Sequence, residues 1–177
     1  FQFSWWCCVL GVKSGLTYLG PFLMLIFLML HVIRFMDNSS EIKLIILFGI
    51  LGTLIDTGMA YFEILIYQGT YFADTTIAPL WITAMWCGFS ATINHSLSWL
   101  RNRYISSAVL GLVFGPLSYI AGAKFGAIEY NADPIIVLVT ISIVYGIVTP
   151  MMYFVNEKFL PNINTVSYTH LTLPTTC

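Results

Sequence analysis

Long apolar stretches broken by short polar turns dominate the chain, and the spacing of small and polar residues within them predicts six helices. A membrane-crossing helix takes about 20 apolar residues, with about 17–25 as the working range. The first run, Phe1 to Val12, is shorter than that and is expected to span only within a longer native segment. After a Lys13–Gly20 turn, the run Tyr18 to Phe35 is apolar on every side through Leu30, which predicts a largely lipid-facing helix closed by His31 and Arg34.

The third run, Ile42 to Tyr67, has two faces. Gly49, Gly52, Thr53, Asp56, Ala60 and Glu63 recur at three- and four-residue steps and share one face, which should point into a bundle. Leu47, Leu51, Leu54, Tyr61 and Leu65 form the other. A fourth helix is expected from Ile77 to Leu100, with Thr83, Cys87, Ser90, Ala91, Asn94 and Ser98 as its inward stripe. Trp86, Phe89, Ile93, Leu97 and Leu100 form its greasy stripe, and His95 sits at the edge of the inward one.

The turn Arg101-Asn102-Arg103 leads into a fifth helix, Tyr104 to Gly126. Ala108, Gly111, Gly115, Ser118, Gly122 and Gly126 line up along it, the small-residue spacing that lets membrane helices approach closely. Pro116 removes one internal hydrogen bond and predicts a kink. Asn131-Ala132-Asp133-Pro134 caps a sixth helix running to about Phe154, with a second kink expected at Thr149-Pro150.

Composition agrees with a bilayer environment. Of 177 residues, 58% are hydrophobic and 8% charged, against about 25% charged in soluble domains. Mean hydropathy is +0.85. The net charge of -1 offers no basic field for nucleic acid. Lys and Arg do set an orientation. With six spans, Arg34, Lys43, Arg101, Arg103 and Lys158 share one side, while Lys13 and Lys124 take the other. Short basic loops stay cytoplasmic, so both termini and the Arg101–Arg103 turn are expected inside. The two arginines are first a topology signal and second a contact for anionic lipid headgroups. The expected organisation is therefore an all-α polytopic membrane bundle over residues 1–160, with 161–177 as a tail outside it. The tail segment VSYTHLTLPTT resembles translated sequencing-adapter DNA, so His170 and Cys177 are left out of the reading of sites.

Chemistry is sparse. The chain has no GxSxG, Walker loop, HExxH, CxxC or dinucleotide fingerprint, so no catalytic residue and no cofactor is assigned. Asp56 is the strongest single signal, because a carboxyl inside a membrane helix costs on the order of 2.5–3.5 kcal/mol on insertion scales. It reads either as a proton-carrying or ligand-contacting group, or as a polar clasp holding neighbouring helices in register. Asn94 and His95 complete a candidate intramembrane polar site with Asp56. An imidazole could shuttle protons or bind a metal. However, His31 and His95 lie on separate helices without HxxxH or HxxE spacing, so no metal centre is assigned. Gly111, Gly115, Pro116 and Gly122 are packing and kink positions.

Several runs taken together, Val9-Leu10-Gly11-Val12, Leu19-Gly20-Pro21, Gly52 to Asp56, Pro79-Leu80-Trp81, Asn94 to Leu97 and Gly115 to Tyr119, resemble the bacterial family known as domain of unknown function 2878. The resemblance covers the chain to about Leu160. It implies a small multi-pass inner-membrane protein of unassigned activity. It also implies a link to membrane-lipid or fatty-acid modification, with membrane lipids and lipid-modifying enzymes as partners. An accessory or scaffold role in that chemistry is the leading expectation. A small proton-coupled transporter using Asp56 is the alternative, and an intramembrane enzyme using His95 is a third reading.

Overall fold

A computed structural model describes residues 1–36, 39–72 and 75–159, so the adapter-like tail lies outside the described residues. These form six α-helices: α1 (Gln2–Lys13), α2 (Leu19–Arg34), α3 (Ser40–Tyr61), α4 (Leu80–Thr92), α5 (Tyr104–Lys124) and α6 (Pro134–Phe159). Two short strands, β1 (Leu65–Tyr67) and β2 (Ile128–Tyr130), and a 3-10 turn at Ser98–Leu100 complete the described elements. Among the described residues, α3, α5 and α6 are long and apolar enough to cross a membrane, and α2 is a shorter apolar helix.

The helices pack as two groups. α1 lies on α2, α2 and α3 lie on α4, and α5 pairs extensively with α6. The small, polar face of α3 meets the small, polar stripe of α4. Thr53 and Thr83 join their hydroxyls at 2.8 Å, and Ser90 donates to the Leu44 carbonyl at 3.3 Å. α2 turns Phe22, Leu25, Met29 and Ile33 outward and buries Met24 and His31.

Two expected helices end early. The third stops at Tyr61 instead of Tyr67. Ile64 N–H bonds the Met59 carbonyl at 2.9 Å and Glu63 N–H bonds that of Ala60 at 3.0 Å, with Glu63 at φ 55°. This paired closure terminates a helix and normally uses glycine at the left-handed position. The chain then runs as β1, antiparallel to β2 in the register Leu65↔Tyr130, Ile66↔Glu129 and Tyr67↔Ile128. Leu65 and Tyr67 face inward and Ile66 outward, the two-residue alternation of a strand. A short apolar run does not by periodicity alone separate strand from helix, and for that reason β1 looked like the end of α3.

The fourth helix stops at Thr92 instead of Leu100. The Thr92 hydroxyl bonds the Phe89 carbonyl at 2.6 Å, and the N–H groups of both His95 and Leu97 bond the Thr92 carbonyl at 3.1 Å. Local bonds of this kind compete with helix continuation. A further correction concerns Trp86, expected on the greasy face of α4: it is 4% exposed and points into the bundle. The fifth and sixth helices run uninterrupted through Pro116 and Pro150.

Candidate functional site

Asp56 lies fully buried on α3. One carboxylate oxygen accepts from the Tyr67 hydroxyl at 2.5 Å and, more closely still, from the Tyr119 hydroxyl. The other accepts from the Trp86 indole N–H at 2.6 Å. These three neutral donors come from β1, α5 and α4, so one carboxyl joins four elements of the fold. Burial, reinforced by the adjacent Asp56, pushes the Tyr67 phenol well above its ordinary range and keeps its proton available for donation. Tyr145 on α6 extends the cluster. Its ring stacks on Trp86 with centroids 5.2 Å apart, and its hydroxyl lies 3.4 Å from that of Tyr119.

Glycines make room for these rings. A Cβ at residue 52 would run into the Trp86 indole, and a Cβ at residue 115 would press on the Tyr145 ring at 2.6 Å. Gly111 sits against the backbone carbonyl of Tyr145, and Gly122 against Ile128 of β2. The small-residue line of α5 is therefore a contact surface for α6 and β2.

The cluster forms one wall of a cleft of about 860 Å³ between α1 and α4 on one side and α5 and α6 on the other. Val9, Met85, Phe89, Phe114 and Ser118 line it, and Trp86, Tyr119 and Tyr145 belong to the same lining. Asp56 itself lies behind the wall, one hydrogen bond away through Trp86 or Tyr119.

Asn94 and His95 have other partners. Asn94 and Asn156 exchange side-chain amide hydrogen bonds of 3.0 and 2.6 Å, and Arg101 donates to the Asn94 side-chain oxygen Oδ1 at 3.0 Å. Asn156 is 1% exposed, so this pair fastens the α4–α5 connection to the last turns of α6. Asn102 and Tyr104 add bonds to Glu157 at the same place. Arg103 is exposed at the start of α5. His95 Nε2 lies 3.3 Å from Glu41 on α3 and its ring stands edge-on to His31 on α2, with centroids 4.6 Å apart. The three groups singled out from the sequence thus fall into three clusters, built respectively on Asp56, Asn94 and His95.

Tyr67, Trp86, Tyr119, Tyr145, Glu41 and Asn156 are the participants that the sequence reading did not single out. An aromatic residue in an apolar helix carries no mark of whether its polar tip meets a partner. Glu41 precedes the third apolar run, which starts at Ile42, and the structure draws it into the first turn of α3. No curated protein and no solved structure matches the chain. Residues 1–151 match the family described as "Protein of unknown function (DUF2878)", and the chain belongs to that family.

Proposed function

We propose that this is a multi-pass membrane protein whose cleft receives the apolar chain of a membrane lipid, in an accessory role to lipid or fatty-acid modification. The observation that carries the reading is the cleft itself. Its volume of about 860 Å³ falls in the range of about 300–1,000 Å³ typical of ligand pockets. Its lining is mostly apolar and aromatic, and in a bilayer the most abundant apolar ligand is an acyl chain. Six spans, both termini cytoplasmic and an inner-membrane location complete the proposal, supported by the positions of Arg34, Lys43, Arg101, Arg103 and Lys158.

A lipid carrying a photoactivatable acyl chain should label the lining, including Met85 and Phe114, in nanodiscs of the full chain. Ser118→Trp should narrow the cleft and displace at least about two methylenes, worth about 0.8 kcal/mol each, and so lower labelling about tenfold or more. Equal labelling of the variant and the native protein would remove the cleft from consideration. In cells, deletion should shift the fatty-acid profile, and an unchanged profile would remove the accessory role. The second reading, a proton-coupled carrier, draws on Asp56 lying one hydrogen bond behind the cleft wall. Full uptake activity in Asp56→Asn would count against it.

A further inference from the structure

We propose that His31, Glu41 and His95 form a binding site for a divalent transition-metal ion at the end of the bundle where α2 finishes and α3 begins. Each residue offers one ligand atom, and the three atoms lie within 4.8 Å of one another. The Glu41 carboxylate oxygen is 3.4 Å from His31 Nε2 and 3.3 Å from His95 Nε2. A tetrahedral ion bound at about 2.0–2.2 Å separates its ligands by about 3.3–3.6 Å, and the two edges that meet at Glu41 match that spacing.

The alternative is a hydrogen-bonded trio, and His31 argues against it. His31 is 4% exposed, and its Nε2 is buried with no hydrogen-bond partner among the described residues. It lies 3.4 Å from the Glu41 carboxylate without a hydrogen bond between them. A buried ring nitrogen normally finds a partner, and a metal ion supplies one without needing a proton between the two groups. Glu41 is also nearly buried, whereas His95 is about 30% exposed in its side chain and leaves a path for the ion to enter. Phe27 and Phe35 flank His31 and give the site an apolar shell.

Two imidazoles and one carboxylate suit a borderline ion such as Zn(II) or Fe(II), whereas the hard cations Mg(II) and Ca(II) take sites built from oxygens. Three protein ligands leave an open position for water or a headgroup oxygen. The ion would tie the corner between α2 and α3 to the turn after α4, 54 residues beyond Glu41. This inference is independent of the lipid-cleft reading and has its own readout.

The test uses the full chain, purified in detergent, stripped with chelator and titrated with Co(II) alone as the spectroscopic probe. One equivalent should bind with visible d–d absorption, and Zn(II) should displace it. His31→Ala, Glu41→Gln and His95→Ala should each weaken binding by more than about tenfold, while His170→Ala should bind as the native chain does. His95→Cys provides a gain of signal, because a thiolate ligand adds a charge-transfer band that the native site lacks. A native chain that takes up no Co(II), three variants that bind as it does, or a His95→Cys protein that binds without the new band would each overturn the site.

Discussion

Asp56→Leu should destabilise the folded protein by at least about 3 kcal/mol, because it orphans the Tyr67 and Tyr119 hydroxyls and the Trp86 indole N–H together. Each buried donor left without a partner costs about 1–3 kcal/mol, and the gain from an added apolar side chain is small inside a bundle whose surroundings are already apolar. Asp56→Asn should cost less. Its one oxygen can keep both tyrosines, but its NH2 would face the Trp86 N–H, donor against donor. Tyr67→Phe alone should cost about 1.5–3 kcal/mol, the usual worth of a hydrogen bond to a charged group. Combining Tyr67→Phe and Tyr119→Phe with Asp56→Leu should recover part of the loss, since the orphaned hydroxyls are then gone. That non-additivity is the signature of residues acting as a unit. Unfolding in mixed micelles, followed by Trp fluorescence, reads the series. An Asp56→Leu protein as stable as the native one would dispose of the clasp.

The legible part of this molecule is the part written in contrasts. Asp56 stood out because a carboxyl interrupts an apolar helix, and the inward face of α3 was visible from its three- and four-residue steps. What the carboxyl touches was not visible. Tryptophan is large and apolar, which puts Trp86 with the greasy face of α4 in the sequence, yet its N–H is one of the three donors to Asp56. Tyr67 was hidden further, since the run to Tyr67 reads as helix and only the pairing with β2, some sixty residues on, makes it strand. The His31–Glu41–His95 cluster carries no local spacing, because each residue sits near the end of a different element. Long-range juxtaposition of this kind depends on how helices pack, which periodicity along one helix does not encode.

Gly111→Ala should be the most damaging one-methyl change on α5, whereas Gly58→Ala on α3 should be neutral or mildly stabilising. At residue 111 the new Cβ would meet the backbone carbonyl of Tyr145 and, at 2.7 Å, the Thr149 hydroxyl. Backbone cannot swing aside as a flexible side chain can, so α5 and α6 must separate. Overpacking of this sort costs about 1–3 kcal/mol. In a membrane, where close van der Waals contact drives helix association, the lost approach is not offset by apolar burial. At residue 58 the Cβ meets nothing within 4 Å, and the helical backbone gains up to about 1 kcal/mol from replacing glycine with alanine. The Gly111 effect should also spread. Tyr145 stacks on Trp86, and Trp86 holds Asp56, so moving α6 shifts the cleft wall and loosens the clasp together. Gly111→Ala should therefore lower both thermal stability and acyl-chain labelling, with a longer spin-label distance between α5 and α6. If it lowers stability while the α5–α6 distance and the labelling stay at their native values, the glycine acts locally and the coupling through Tyr145 is wrong.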